Sequence, residues 1–214
     1  MRHKRFGLSD GASISYDSAS WSQILTRAYT KNPQVNRLWL EQVRNEFSRL
    51  HNRDTLPWTK QAAFDRGSFA SLLGVQYLNE IDRIQVLAVG DSIAVLCDGT
   101  SMVKSWPYSN WEEFSASPLL LSTNPDYSYA FNGSEIPQEW RTEWSIRELR
   151  DPIVFCMTDA LGEWFLKHRP DDPAPISILL SLNRRKAFHD FVLEQRARGN
   201  LKRDDTTLLI LTLK

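Results

Sequence analysis

In the stretch PIVFCMTDALGEWF, residues 152–165, an unbroken apolar run ends at Thr158-Asp159 and an amphipathic run begins at once. A short apolar run between turn formers reads as a buried strand, and apolar residues recurring every three to four positions read as a helix. The chain must therefore place a strand end directly against a helix start, with a carboxylate at the junction. Asp159 has two readings. It caps the helix, because an aspartate oxygen accepts hydrogen bonds from the first amides and suits the positive end; or it is a metal ligand held at a strand end.

The remaining elements follow from the same patterns. SASWSQILTRAYTK reads as a helix with Ser18 or Ser20 as its cap, and Trp21, Ile24, Leu25 and Ala28 on one face. A second helix opens at Pro33, with Val35, Leu38, Trp39, Val43, Phe47 and Leu50 as its apolar face. GSFASLLGVQYL reads as a strand. In DRIQVLAVGDSIAVLCDGTSMVKSWP two apolar runs meet at Gly90-Asp91, and the expectation is an antiparallel hairpin or meander. Residues 105–147 hold four of the eight tryptophans but little periodicity, so they read as long loops around short elements. RPDDPAP is a break, RRKAFHDFVLEQRARG a helix ending at Gly199 with Phe188, Phe191, Val192 and Gln195 on one side, and TTLLILTL a closing strand. With 214 residues, 42% of them hydrophobic, and no repeat or linker, the expectation is a single domain over residues 1–214.

Lysine plus arginine equal aspartate plus glutamate at 26 each, so net charge supplies no argument for nucleic acid or an anionic membrane as partner. Cys97 and Cys156 both lie inside apolar runs and read as small buried hydrophobes, without a disulfide framework or zinc cluster. No apolar segment is long enough for a signal peptide or a membrane span, and the expected setting is cytoplasmic. His3, His51, His168 and His189 are scattered without metal-binding spacing.

Three aspartates share one context. Asp10 follows RFGLS, Asp159 follows IVFCMT, and Asp204 precedes DTTLLILTL, each at the end of an expected strand. Carboxylates collected at strand ends can form an all-oxygen site for a hard divalent cation. Singly they read as an Asp-Gly turn, a helix cap and a solvated charge pair with Asp205.

Taken in order, SDGAS, GSFASLL, VGDSIAVLCDG, CMTDALGEWF and RDDTTLLILTL resemble the motifs of the metal-dependent protein phosphatases of type 2C, particularly bacterial members. The resemblance covers nearly the whole chain. It implies an α/β fold of two packed antiparallel β-sheets flanked by α-helices, a four-layer sandwich shortened at its N-terminus. It also implies a serine/threonine phosphatase that uses two manganese or magnesium ions. Asp10 would bridge the ions, Gly11 would bind one through its carbonyl oxygen, and Asp159 and Asp204 would hold the second. The implied partners are a phosphoprotein substrate and a cognate kinase.

The departures are specific. In the family two strands precede the first aspartate and carry a phosphate-gripping arginine and an acidic pair that orders metal-bound waters; here nine residues precede Asp10. Arg2, Lys4 and Arg5 are candidate substitute cations. Ala160 replaces a glycine after Asp159, and Ala12 stands where some relatives have a histidine. A catalytically weak phosphatase-like binding or regulatory module is therefore the alternative. A sheet that lacks strands exposes a backbone edge, which invites a homodimer.

Overall fold

The computed structural model describes residues 4–127, 136–168 and 174–213. They fall into two compact units, Met1–Gly90 with Pro118–Ser145, and Asp91–Ser117 with Ile146–Lys214.

In the first unit, strand β1 (Lys4–Leu8) leads to helices α1 (Ser18–Lys31), α2 (Arg37–Leu50) and α3 (Trp58–Arg66), followed by strands β2 (Phe69–Ala70), β3 (Leu72–Leu78) and β4 (Arg83–Val89). Helix α1 is capped by Asp17 rather than by Ser18 or Ser20: its side chain accepts from the Ser20 amide at 3.3 Å, with φ at 38°. Aspartate tolerates the left-handed region better than most residues, which places the cap one position earlier than the serines suggest. Helix α2 starts at Arg37, not Pro33, because Asn36 accepts from the Trp39 amide at 2.8 Å and sets the first turn. Its buried face is Trp39, Leu40, Val43 and Phe47, while Leu38 and Leu50 are 68% and 62% exposed. Val35 is buried but precedes the helix.

Helix α1 packs on the sheet. Tyr29 lies over Gly74, where a Cβ would stand 2.2 Å from its ring, and Thr26 lies over Gly7. Trp21 is fully buried and its indole donates to the Leu121 carbonyl at 2.9 Å. Truncating an aromatic side chain buried in this way costs about 3–5 kcal/mol.

The second unit supplies strands β5 (Ile93–Asp98) and β6 (Ser101–Trp106), and the first unit resumes with β7 (Leu121–Ser122) and β8 (Arg141–Ser145). Strand β9 (Pro152–Met157), helices α4 (Asp159–Lys167), α5 (Ala174–Ser181) and α6 (Arg185–Ala197), and strand β10 (Leu208–Thr212) complete the second unit. The sheet orders are β1-β3-β4-β8 and β10-β9-β5-β6, both wholly antiparallel, and β2 and β7 form a separate two-stranded ladder in the first unit. The expected fold class, helices with two antiparallel sheets, is observed.

Gly90-Asp91 is not a hairpin turn. β4 pairs with β3 and β8, whereas β5 pairs with β6 and β9. Both runs are so nearly apolar throughout that alternation could not assign their partners. The hairpin is the next turn, at Asp98-Gly99, where Gly99 has φ 57°. Within residues 105–147 the described elements are short, as expected, though the five-residue β8 is a member of a four-stranded sheet; residues 128–135 lie outside the described residues. The expected break at residues 169–175 lies outside them up to Pro173, and Ala174-Pro175 already begin α5.

Every residue of β9 is buried, as a central strand requires, and Phe155 meets Phe165 of α4 at a 6.3 Å centroid distance. Trp164 of α4 meets Phe191 of α6 edge-on at 5.1 Å and donates to Gln195 at 3.3 Å. Among the described residues no helix is long and apolar enough to cross a membrane.

Candidate active site

The structure places Asp10 and Gly11 in the first unit, and Asp159 and Asp204 in the second. Each pair is held by backbone hydrogen bonding that fixes its position.

Asp10 follows β1 and is clamped by Ser71. The Asp10 amide donates to Ser71 Oγ at 3.0 Å, and the Ser71 amide donates to the Asp10 carbonyl at 2.8 Å. The Ala12 amide donates to the Phe69 carbonyl at 2.9 Å, and Gly11 bridges to Ala70. Gly11 is required by close approach: a Cβ there would lie 2.7 Å from the Ser18 carbonyl oxygen at the start of α1. SDG is therefore a rigid corner between β1 and α1, not a free turn.

In the second unit, Thr158 is the N-cap residue of α4 and Asp159 is its first helical residue, so Asp159 is not the cap. Thr158 is 1% exposed and directs its hydroxyl elsewhere. Its Oγ1 donates to the Asp205 carbonyl at 3.1 Å and accepts from the Thr207 amide at 3.0 Å. The Thr158 amide also donates to the Thr207 carbonyl at 3.3 Å. These bonds hold the Asp204–Thr207 segment against the β9–α4 junction. Arg196 secures the same segment, donating to the Asp204 carbonyl and, at 3.0 Å, to Thr206 Oγ1.

One carboxylate oxygen of Asp159, Oδ1, is buried and has no hydrogen-bond partner among the described residues. Burial pushes the Asp159 carboxyl up from an ordinary 3.8 to about 6. The Ala160 amide and Lys202 oppose that rise, while the negative charges of Asp91 and Asp204 add to it. Burial likewise raises Asp91, again with Asp204 contributing. Tyr108 is raised by burial and then by Asp91, Glu113 and Asp159. Asp91, Asp159 and Asp204 thus share one electrostatic neighbourhood. Beside it, Lys202 Nζ lies 2.5 Å from Glu163 Oε2, a cation already committed to a carboxylate.

Asp91 is the residue that sequence reading missed. GDS belongs to one of the motifs that carry the resemblance, but no role was assigned to its aspartate; its position two residues before β5, which pairs with the central strand β9, places it in the electrostatic neighbourhood of Asp159.

Manganese or magnesium, which the type 2C fold implies, can be tested against these groups. Among the described residues no three His, Cys, Asp or Glu side chains converge as a metal-holding group. A buried carboxylate oxygen with no donor, in the field of two further carboxylates, nevertheless suits a hard cation, and magnesium and manganese retain several waters and need few protein ligands. The donor set is all oxygen, as such ions prefer. Among the candidate substitute cations, Arg2 lies outside the described residues, Lys4 is exposed, and Arg5 donates to the Lys31 carbonyl at 2.9 Å.

A buried β9 running into α4, with a clamped Asp-Gly corner between β1 and α1, is the framework of the type 2C phosphatase fold, and solved structures of that class match nearly the whole chain. A bacterial serine phosphatase aligns with a TM-score of 0.61 at 13% identity, covering 100% of this chain and 87% of its own. The serine/threonine phosphatase Stp1 of Staphylococcus aureus aligns at 0.57 and 12% identity, covering 99% and 84%. The serine/threonine phosphatase PstP of Mycobacterium tuberculosis aligns at 0.52 and 12% identity, covering 97% and 86%. No protein-family model and no curated protein matches the sequence. At these identities the likeness is one of fold.

Proposed function

We propose that the protein is a metal-dependent serine/threonine phosphoprotein phosphatase that hydrolyses phosphate monoesters. The observation that carries this reading is the buried, unpartnered Oδ1 of Asp159, at the β9–α4 corner of a chain with the type 2C fold. Asp159 and Asp204, with Asp10 and the Gly11 carbonyl, would hold two manganese or magnesium ions. Bound there, such ions supply a nucleophilic water at neutral pH and positive charge against the phosphoryl oxygens.

The chain's own groups prepare for this. Ser71 fixes the Asp10 backbone, and Thr158 fixes the segment that carries Asp204. The mutual repulsion of Asp91, Asp159 and Asp204 leaves a concentration of negative charge that favours a cation. Asp91 would hold the surrounding waters in place. The partners would be a phosphoprotein and the kinase that generates it.

A second reading is a catalytically weak phosphatase-like module. The specific observation in its favour is that no three carboxylates converge among the described residues. Release of phosphate from p-nitrophenyl phosphate and from a phosphothreonine peptide, with and without manganese, separates the two. Manganese-dependent turnover that is lost in Asp159→Asn and Asp204→Asn, with unchanged circular dichroism, supports the enzyme. Manganese binding without turnover in the unsubstituted protein would sink it and leave the binding module.

A further inference from the structure

The first unit contains a cavity of about 850 Å3, built from β1, β3, β4, β8, the α1–α2 connection and residues 136–138. Its floor is one rung across all four strands of the sheet. Arg5 stands opposite Gln76, Gln76 opposite Gln85, and Gln85 opposite Glu143, so the four side chains share one face. The neighbouring rung on that face is Gly7, Gly74, Leu87 and Arg141, and there Tyr29 and Thr26 of α1 close over the glycines. Helix α1 ends at Lys31, and the cavity opens where its cover stops.

A polar rung on a solvated sheet face needs no ligand. Three features of this one go further. The two guanidiniums are fixed in place: Arg5 donates to the Lys31 carbonyl at 2.9 Å and Arg141 to the Val35 carbonyl at 3.2 Å, so they are braced at opposite ends of the same connection. The single acid is spent, since Glu143 binds Arg83 through one oxygen and accepts from Gln85 through the other at 3.0 Å. And Nε of Arg5 is buried without an acceptor among the described residues, a cost that an acceptor on a bound molecule would remove. Two braced cations, neutralised acid and an unsatisfied buried donor describe a receptor for an anion. The volume falls within the roughly 300–1,000 Å3 usual for small-molecule sites.

We infer that this cavity binds a small organic anion of about mononucleotide size, presenting a phosphate or carboxylate to Arg5 and Arg141 and polar edges to Gln76, Gln85 and Gln138. The cavity lies wholly in the first unit and is tested by binding rather than turnover, so its fate is separate from that of the phosphatase reading.

Calorimetric titration of the full chain in EDTA with AMP, citrate and inorganic phosphate tests it, EDTA removing any contribution from bound metal. Saturable binding of AMP, of citrate or of both, tighter than inorganic phosphate, is expected, and which one binds identifies the head group. Arg5→Gln and Arg141→Gln should each weaken it by roughly tenfold or more, as loss of a charge-assisted contact does. Gln76→Glu places a carboxylate beside Arg5 and should abolish binding while leaving the thermal melt unchanged or raised, which covers the case in which an arginine variant misfolds. Absence of binding by AMP and citrate at millimolar concentration, binding indifferent to these substitutions, or inorganic phosphate binding as tightly as both, would overturn the proposal.

Discussion

Thr158 and Asp205 are joined by a hydrogen bond of 3.1 Å, from the threonine hydroxyl to the aspartate's backbone carbonyl. With the Thr207 amide donating to that hydroxyl, one buried side chain fastens the C-terminal strand's approach to the end of β9.

Thr158→Val keeps the shape and removes the hydroxyl. It leaves the Asp205 carbonyl and the Thr207 amide without that partner in a part-buried setting, and urea unfolding should show a loss of about 1 kcal/mol. Thr158→Ser should retain most of the stability. If the segment bearing Asp204 must be held for metal binding, Thr158→Val should also weaken manganese affinity roughly tenfold.

Asp159 gives a pH dependence whose sign is fixed. Its folded-state value, about 6, lies above its ordinary 3.8, so between those values the folded protein binds a proton that the unfolded chain has released. Stability therefore falls as pH rises through that window and stays lower above it. Asp159→Asn removes this effect: at pH 7 it should be the more stable protein, by about 1 kcal/mol after solvent screening, and at pH 4 the two should melt together. Manganese at pH 7 should raise the melting temperature of the unsubstituted protein and not of the variant. A variant less stable at pH 7 would contradict the assignment.

Gly11→Ala forces a methyl to within 2.7 Å of the Ser18 carbonyl. The backbone there cannot turn aside as a flexible side chain could, and a loss of about 1–3 kcal/mol is expected in chemical denaturation. Gly199→Ala provides the contrast, since its surroundings are open and only its φ of 73° opposes the substitution.

Cys156 is buried, and its thiol is pushed up to about 12 by that burial. The thiolate is the reactive form, so the native protein should resist iodoacetamide at this position at pH 8 and react once unfolded. Mass mapping of the alkylated peptide checks this; labelling at native rates equal to those of a free thiol would show that the strand opens.

Much of this architecture was legible because period carries burial. β9, α4 and β10 follow directly from PIVFCMTDALGEWF and TTLLILTL, and SASWSQILTRAYTK coincides with α1, although its cap is Asp17 rather than a serine. What stayed hidden depends on partners rather than pattern. β4 and β5 are apolar enough to sit in any sheet, and only tertiary pairing sends them to different ones. Leu38 and Leu50 carry the right character for the α2 face, but Trp39, Val43 and Phe47 align more closely four residues apart and take the buried positions. Asp159 was readable as a ligand or a cap; in the structure Thr158 holds the cap position and Asp159 is the first helical residue, with one carboxylate oxygen buried and without a partner among the described residues. Asp91 stands in a motif that the sequence shows, but nothing in GDS states which strand its neighbour will be, and so nothing there puts its charge beside that of Asp159.

The Trp21–Leu121 hydrogen bond spans 100 residues, and the sheet beside it is completed only by β8, at Arg141–Ser145. During synthesis the first unit is interrupted by Asp91–Ser117 before its own last segment emerges. Helix α1 therefore leaves the ribosome long before the carbonyl that receives its central indole exists. The N-terminal third of the chain must wait, with Trp21 unpartnered, for a segment translated seconds later, so a nascent chain stalled before residue 121 should hold this tryptophan in water and one stalled well beyond 145 should not.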